Sequence, residues 1–197
     1  MWLNAKIIIV LVSVVAAAGA IATFYSQAHA PLERVTEGFE TGYGGWAPDA
    51  DVPIDPNTGQ PVDWYVARST DVSFSGTHSL KFFIDGRQDD GTIWIERKVL
   101  LREGARRVNI TFDLYSGEES FNTIAVVCAY AGFKDPEHEG ELTVLGPANE
   151  VAGWKRYSLA VDIDTGNAQE AWVAAGISVR WETHMTYYLD DIIIEVT

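Results

Sequence analysis

The chain has 197 residues, with 28 Asp and Glu against 14 Lys and Arg, and one cysteine, Cys128. This length is sufficient for one domain with a core of its own. The net charge of −14 repels nucleic acids and anionic lipid surfaces, and a single cysteine excludes an intrachain disulfide. We therefore expect one acidic domain that does not bind nucleic acid.

Residues 1–30 are predicted to direct export. Lys6 is the only charged side chain in this segment, and it precedes an apolar run over residues 7–24 and then small residues typical of a cleavage site. The run is about 18 residues long, the lower limit for a helix that spans a bilayer. Two alternatives stay open: a cleaved signal peptide and a secreted protein, or an uncleaved anchor that holds the domain outside the membrane. In both, residues 31–197 form the folded domain.

From residue 31 onward the pattern predicts β-strands throughout. Short runs of alternating apolar and polar side chains are bounded by Gly, Pro, Asp and Asn, and no segment has sustained helical periodicity. The predicted strands cover residues 35–40, 64–69, 79–85, 92–101, 107–115, 123–133, 142–145, 154–163, 171–181 and 187–196. Residues 41–62 are predicted to form a long polar loop. The number and spacing of strands indicate an all-β fold, a two-sheet antiparallel β-sandwich or jelly roll.

The alternation also predicts which side chains face the core. Trp154 and Trp181 are assigned to the core, whereas Trp94, Tyr115 and Trp172 fall on the opposite, polar sets of their strands. These sets also contain amides, carboxylates and a guanidinium. We expect one sheet to expose all of them together on one mixed face, above a floor of small side chains from the strand over residues 123–133.

Four short segments resemble the galactose-binding-like jelly rolls, which are secreted carbohydrate-binding modules. In chain order they are Gly38-Phe39-Glu40-Thr41-Gly42 with Trp46, Ser73-Phe-Ser-Gly-Thr-His-Ser-Leu80, Gly153-Trp154-Lys-Arg-Tyr-Ser-Leu159 and Tyr188-Leu189-Asp190-Asp191-Ile192. Together they span nearly all of residues 35–197. The resemblance implies a jelly roll whose first and last strands lie side by side.

The resemblance also implies a structural calcium ion where the two ends of the domain meet. Glu40, Asp190 and Asp191 would donate carboxylate oxygens, and backbone carbonyls around Thr77 would complete the shell. Calcium takes six to eight hard oxygen ligands of this kind, and a carboxylate beside a buried strand is costly unless it is neutralised. The alternative is a pair of solvated acidic strand ends without an ion.

A polysaccharide or other glycan is the expected partner. Sugars stack their C–H faces on aromatic rings and exchange hydrogen bonds with planar polar groups. The predicted ligand-binding residues are Trp94, Tyr115, Trp172, Asp113, Asn109, Glu96, Arg180 and Trp64.

Two other functions stay open for the same fold. One is a structural or protein-interaction module of the cell envelope. The other is a polysaccharide-cleaving enzyme, which would need Asp113 and Glu96 as a carboxylate pair on one face. We do not predict an enzyme, because no two histidines have metal-ligand spacing and no nucleophile-elbow sequence occurs.

Basic side chains concentrate in one part of this acidic chain. They are Arg97, Lys98, Arg102, Arg106 and Arg107. Such a cluster is either a solvated hairpin end or a contact for an acidic polymer such as a uronate chain.

Overall fold

The computed structural model of the chain describes residues 33–88, 90–164, 166, 168–181 and 184–197. The export segment predicted over residues 1–30 lies outside the described residues. Within the part of the chain that is described, no helix combines the length and the apolar character needed to cross a bilayer.

The described residues form two antiparallel sheets, so the predicted β-sandwich is confirmed. The strands are β1 (Glu33–Glu37), β2 (Ala47–Asp51), β3 (Trp64–Ser69), β4 (Ser79–Asp85), β5 (Thr92–Leu100), β6 (Arg107–Ser116), β7 (Ala125–Gly132), β8 (Thr143–Pro147), β9 (Gly153–Asp162), β10 (Glu170–Val179) and β11 (His184–Val196). Short 3-10 helices cover Gly86–Gln88 and Glu139–Glu141. Sheet A has the order β3-β4-β11-β6-β9, with β1 also paired to β11, and sheet B has the order β2-β5-β10-β7-β8.

The core lies between the two sheets and follows the alternation along the central strands. On β6, the predicted inward residues Val108, Ile110, Phe112 and Leu114 are buried. On β10 the inward set is buried as far as Val179, where the strand ends. Side chains of this kind contribute about 1.5–3 kcal/mol each when fully removed from water.

Two tryptophans assigned to the core lie elsewhere. Trp181 follows the end of β10 and is 60% exposed, because the alternation stops when the strand stops. Trp154 is half-buried and lies opposite Tyr115, on the outward set of sheet A. The small residues Ala125 and Ala129 also differ from the prediction, since they face the core and do not form the floor of an open face.

The segment predicted as a long loop contains an edge strand. β2 pairs with β5 at the end of sheet B, with Ala47 opposite Glu96 and Asp51 opposite Thr92. Its sequence lacks a clear alternation and contains Pro48. An edge strand tolerates proline because one side of its backbone has no partner strand.

The first and last strands lie side by side, as predicted. β1 pairs antiparallel with β11, from Glu33 opposite Val196 to Glu37 opposite Ile192. β4 pairs with the earlier part of β11, from His184 to Leu189. Asp190 and Asp191 therefore fall between the two partner strands, where the register to β6 shifts and Asp191 takes a φ of 49°.

Candidate functional site

The predicted shared face does not exist, because its rings belong to different sheets. Tyr115 lies on β6 in sheet A, whereas Trp94 and Trp172 lie on β5 and β10 in sheet B. The outer faces of the two sheets point to opposite sides of the sandwich. Asp113 and Glu96 are divided in the same way, so they do not form the carboxylate pair that a glycosidase would need.

The outer face of sheet B is closed over Trp94. This side chain is fully buried in a small cluster with Cys128, Leu142 and Ala174. Its indole N–H donates a hydrogen bond of 2.7 Å to Oε2 of Glu96, which is only 7% exposed. Trp94 and Glu96 are therefore unavailable to a ligand in this conformation.

Residues 133–142, which we call the cover segment, hold this face closed. Glu139 Oε2 accepts a hydrogen bond of 2.9 Å from the Thr92 hydroxyl, and Glu139 Oε1 lies 2.7 Å from Arg180 Nη2. The Glu139 backbone N–H also donates to Asp51 Oδ2 at 2.9 Å. Arg180, predicted to bind a ligand, instead ties the cover segment to the sheet.

The electrostatics under the cover segment are unusual. Burial raises the pKa of Glu96 to about 7; the hydrogen bond from Trp94 opposes this rise, and the nearby carboxylates of Asp135 and Asp49 add to it. Glu96 therefore changes its charge near neutral pH, beneath a segment that depends on polar contacts to stay in place.

Trp172 marks the open end of this face. It is half-buried, and the Lys98 ammonium lies 5.1 Å from the centroid of its ring. Trp172 alone of the predicted sheet B rings keeps partial contact with solvent.

The outer face of sheet A is different, because it displays a continuous row of rings. Tyr188, Tyr115 and Trp154 lie directly opposite one another on β11, β6 and β9. The ring centroids are 6.0 Å apart for Tyr188 and Tyr115, and 5.4 Å apart for Tyr115 and Trp154, both edge to face. Phe74 extends the row, with its centroid 5.6 Å from that of Trp154. We call these four residues the aromatic row.

The local sequence explains the row. Tyr188, Tyr115 and Trp154 each occupy an outward position of a strand, and the registers place these positions directly opposite one another across three adjacent strands. Phe74 reaches the row from the turn between β3 and β4. Edge-to-face contacts are the arrangement that aromatic quadrupoles favour. The three strand residues are half-buried and Phe74 is 46% exposed, so each ring keeps some surface open to solvent.

Paired charges flank the aromatic row on one side. Asp71 accepts a hydrogen bond of 2.9 Å from Lys81 Nζ and one of 3.1 Å from the Tyr188 hydroxyl. The Lys81 ammonium lies 5.7 Å from the centroid of the Tyr188 ring. The cation, the carboxylate and the phenol hold one another in place at this end of the row.

A second ion pair borders the other end. Asp113 is buried and accepts hydrogen bonds from Arg156, with Nη2 2.5 Å from Oδ2. The Arg156 guanidinium lies 5.7 Å from the Phe74 ring centroid. Asp113, predicted to contact a ligand, instead orients Arg156, whose side chain is exposed beside the row.

Two further predicted ligand residues lie away from the row. Trp64 is opposite Ile84 and packs against the core, while its neighbour Tyr65 faces outward and stacks on Phe83 with centroids 5.1 Å apart. Asn109 faces outward on β6, but it is six residues from Tyr115, about 20 Å along an extended strand.

The sequence reasoning missed Tyr188, Trp154 and Phe74 as surface residues. Tyr188 was noted as part of the closing-strand motif, and Trp154 as part of the late-strand motif. The available signal was the alternation: Tyr157, Leu159 and Val161 are apolar at every second position of β9, which places Trp154 on the opposite face.

The predicted calcium ligands meet on one turn, residues 73–78, and we call this region the acidic junction. Glu40 accepts hydrogen bonds of 2.9 Å from the backbone N–H groups of Thr77 and His78, and another from the Thr77 hydroxyl. Those contacts lower the pKa of Glu40 to about 2. Gly76 has a φ of 60°, and a Cβ there would lie 2.3 Å from Glu40 Oε1, so a larger residue would strain the backbone and displace the Glu40 carboxylate.

Asp190 and Asp191 bind the other side of the same turn. The fully buried Asp190 accepts hydrogen bonds from the backbone N–H groups of Phe74 at 2.8 Å and Ser75 at 3.2 Å. Asp191 accepts one of 2.7 Å from the Ser75 hydroxyl. Burial raises the pKa of Asp190, and these hydrogen bonds partly oppose that effect. Three carboxylates from both ends of the domain thus bind the same turn, residues 73–78.

The side chains at the acidic junction do not by themselves form a calcium site. No group of three His, Cys, Asp or Glu side chains within the described ranges is arranged to hold a metal ion. Carboxylates that already accept N–H donors still have free lone pairs. An ion here would therefore take part of its shell from Glu40 and Asp190 and the rest from carbonyl oxygens of the turn.

Comparison with known proteins identifies the fold. No protein-family model matches this chain, and no curated protein sequence matches it. Among solved structures, it is similar to a carbohydrate-binding module of the β-sandwich superfamily, with a TM-score of 0.56 and 19% identity over 79% of this chain and 59% of that one. It is also similar to the carbohydrate-binding and catalytic modules of a Clostridium thermocellum xylanase complexed with xylohexaose, with a TM-score of 0.52 and 16% identity over 83% of this chain and 28% of that one.

The enzymatically active domain of tailspike protein 4 from bacteriophage CBA120 is a third similar structure, with a TM-score of 0.50 and 12% identity over 78% of this chain and 19% of that one. The chain thus spans between a fifth and three fifths of the length of these structures. The similarity establishes a β-sandwich of the kind found in carbohydrate-binding modules, and at these identities it establishes the fold alone.

Proposed function

We propose that this protein is an exported, non-catalytic module that binds a polysaccharide through the aromatic row of sheet A. One observation carries the proposal: Tyr188, Tyr115 and Trp154 lie on three adjacent strands with part of each ring exposed. Rings on a rigid sheet lose little conformational freedom when a sugar stacks on them, so little of the contact energy is lost in ordering the site.

The geometry suggests how a sugar chain would lie. Adjacent strands are about 4.8 Å apart, so the three strand-borne rings extend about 10 Å across the sheet. Because neighbouring rings are turned 60° to 75° from one another, a glycan lying across the strands would stack a C–H face on one ring and contact the edge of the next. The exposed Arg156 guanidinium and Asp71 carboxylate at the edges would bind its hydroxyl groups.

The charges beside the row favour an uncharged sugar at this surface. Lys81 is neutralised by Asp71, and Arg156 is neutralised by Asp113. The chain as a whole carries a charge of −14, which disfavours polyanions at long range. The carbohydrate-binding modules among the similar structures support a glycan as the class of ligand.

Binding to a panel of neutral polysaccharides in affinity gels tests the proposal. Tyr115→Ala and Trp154→Ala are each expected to weaken binding about tenfold or more, as for a central aromatic contact. Trp181→Ala is the matched control, since it removes an exposed tryptophan outside the row. Wild-type protein that binds no member of the panel, or a control that loses as much affinity as the row variants, would contradict the proposal.

We also propose that a calcium ion at the acidic junction stabilises the joined ends of the domain. Support comes from the three carboxylates that bind one turn and from the burial of Asp190. An ion there would bind the folded state only, and at a concentration of 100 times its Kd it would raise stability by about 2.7 kcal/mol.

Thermal unfolding with calcium and with a chelator tests this second proposal. Calcium is expected to raise the Tm of the wild type and not that of Asp190→Asn or Glu40→Gln, with magnesium as the control ion. An identical Tm in calcium and chelator would exclude the ion and leave the backbone N–H groups as sufficient partners for Glu40.

A protein partner in the cell envelope is the second candidate function. The observation that favours it is the exposure of Phe121 and Trp181 on neighbouring loops, which are joined by a hydrogen bond of 2.8 Å from the Arg180 N–H to the Ile124 carbonyl. Cross-linking in intact cells that recovers one protein, and that is lost when Phe121 and Trp181 are both changed to Ser, would favour this function over glycan binding.

A further inference from the structure

A surface cavity lies at one end of the sandwich, away from the aromatic row. It has a volume of about 560 Å³ and is formed where β5 leads into β6 and where β10 begins. This volume is in the range of small-ligand sites. Its lining includes Leu100, Arg102, Arg106 and Gln169, together with one carboxylate, that of Glu103.

The two arginines give the cavity its chemistry. The Arg106 guanidinium donates a hydrogen bond of 3.1 Å to the carbonyl of its neighbour Ala105, and this is its only hydrogen bond to a residue that the structure describes. Arg102 is ion-paired with Glu33 at 2.9 Å, in an exposed pair. Exposed ion pairs contribute little to stability, so a ligand carboxylate can replace Glu33 at little cost.

The backbone around the cavity is firmly held. The Arg106 N–H donates to the carbonyl of Thr197 at 2.7 Å, and the Leu101 N–H donates to the carbonyl of Gln169 at 2.8 Å. The guanidinium groups therefore project from anchored positions. Leu100, which is 59% exposed, supplies an apolar surface beside them.

The cations of the chain are concentrated at this end, and three of them are paired with carboxylates: Lys98 with Glu170, Arg102 with Glu33 and Arg107 with Asp162. Five of the 14 Lys and Arg residues fall within residues 97–107. Lys98 lies on the same outward set of β5 as Leu100, beside the half-buried Trp172. Guanidinium groups, an exposed apolar side chain and an amide are the combination that binds a sugar bearing a carboxylate.

We propose that this cavity is a second glycan site, which takes a carboxylated sugar such as a uronic acid residue. The sugar carboxylate accepts hydrogen bonds from Arg106 and Arg102, its C–H face lies on Leu100, and the Gln169 amide meets its hydroxyl groups. The proposal does not rest on the aromatic row, because the two sites share no residue.

Calorimetric titration with short oligogalacturonates tests the proposal, with carboxyl-reduced oligomers of the same length as the neutral probe. Arg106→Gln is expected to lose about tenfold or more in affinity, which is the value of one charge-assisted contact. Arg106→Lys keeps the positive charge but not the two parallel N–H donors of the guanidinium, and it is expected to lose less affinity than Arg106→Gln. Arg34→Gln is the control, since Arg34 is at the same end, is paired with Glu195 and does not line the cavity.

The outcomes separate the two sites. The proposal is supported if oligogalacturonate affinity falls in Arg106→Gln but not in Arg34→Gln or Tyr115→Ala, and if the carboxyl-reduced oligomer does not bind. Absence of oligogalacturonate binding to the wild type would overturn it, as would equal losses in Arg106→Gln and Arg34→Gln. Binding lost in Tyr115→Ala and kept in Arg106→Gln would also overturn it and would assign the acidic sugar to the aromatic row.

Discussion

The two outer faces of the sandwich carry similar aromatic side chains, but they differ in how much of the ring surface is exposed to solvent. Each face places rings on three adjacent strands. On sheet A these are Tyr188, Tyr115 and Trp154, and on sheet B they are Trp172, Trp94 and Tyr130. The sheet A rings keep part of their surface open, whereas Trp94 is fully buried.

The difference comes from what lies above each sheet. The cover segment is tied to sheet B through Glu139, which binds Thr92 and Arg180, and it brings Leu142 onto Trp94. Over sheet A, Phe74 lies at the edge of the rings and contacts Trp154. The side chains of a sheet face therefore do not by themselves decide whether that face can bind a ligand. A single loop packed on the face can bury its rings in a second small core.

Removing the buried ring is the strongest way to test this contrast. Trp94→Ala is expected to lower the free energy of unfolding by about 3–5 kcal/mol, because it leaves a cavity and deprives the buried Glu96 of its hydrogen-bond donor. Trp181→Ala, an exposed tryptophan, is expected to change it by about 0.5 kcal/mol at most. Urea unfolding measures both. A loss below about 1 kcal/mol for Trp94→Ala would show that the cover segment does not seal the face.

The buried carboxyl group provides a pH test of the same face. Because burial raises the pKa of Glu96 from 4.5 to about 7, the folded state binds more protons than the unfolded state between these values. The contribution of Glu96 therefore lowers the free energy of unfolding as pH rises from about 4.5 to 7, and above this range it changes no further.

Glu96→Gln is expected to remove this contribution, which amounts to about 2 kcal/mol between pH 5 and 8 for a shift of this size. Urea unfolding at several pH values in this interval measures it, and the difference between wild type and variant isolates Glu96 from the histidines. Parallel stability curves for the two proteins would show that Glu96 does not titrate in this interval.

The smallest effect is expected at the edge of the aromatic row. Tyr188→Phe keeps the ring and removes the hydroxyl that donates to Asp71. Because this bond is near the surface and Asp71 retains Lys81, we expect a loss of about 0.5–1 kcal/mol in stability and less than a threefold loss in glycan affinity. Denaturation and glycan titration measure the two effects. A loss of affinity as large as that in Tyr115→Ala would show that the Tyr188 hydroxyl, and not the row of rings, makes the main contact with the glycan.

Much of the fold could be predicted because it depends on local pattern. The alternation on β6 placed Phe112 and its neighbours in the core, and the motifs at both ends of the domain predicted that β1 lies beside β11. The same reasoning failed for β2, where an edge strand needs no alternation, and for Trp181, which lies beyond the end of its strand.

What the sequence by itself determined is which side chains share one face of one strand, because backbone geometry turns each successive residue to the opposite side. It could not determine which strands join in one sheet or what covers them, since those depend on contacts between residues far apart in the chain. Tyr115 and Trp94 follow the same alternation, yet strand pairing put them on opposite sides of the sandwich and the cover segment closed only one side. Tertiary structure alone decided that Tyr115, with Tyr188 and Trp154, faces solvent.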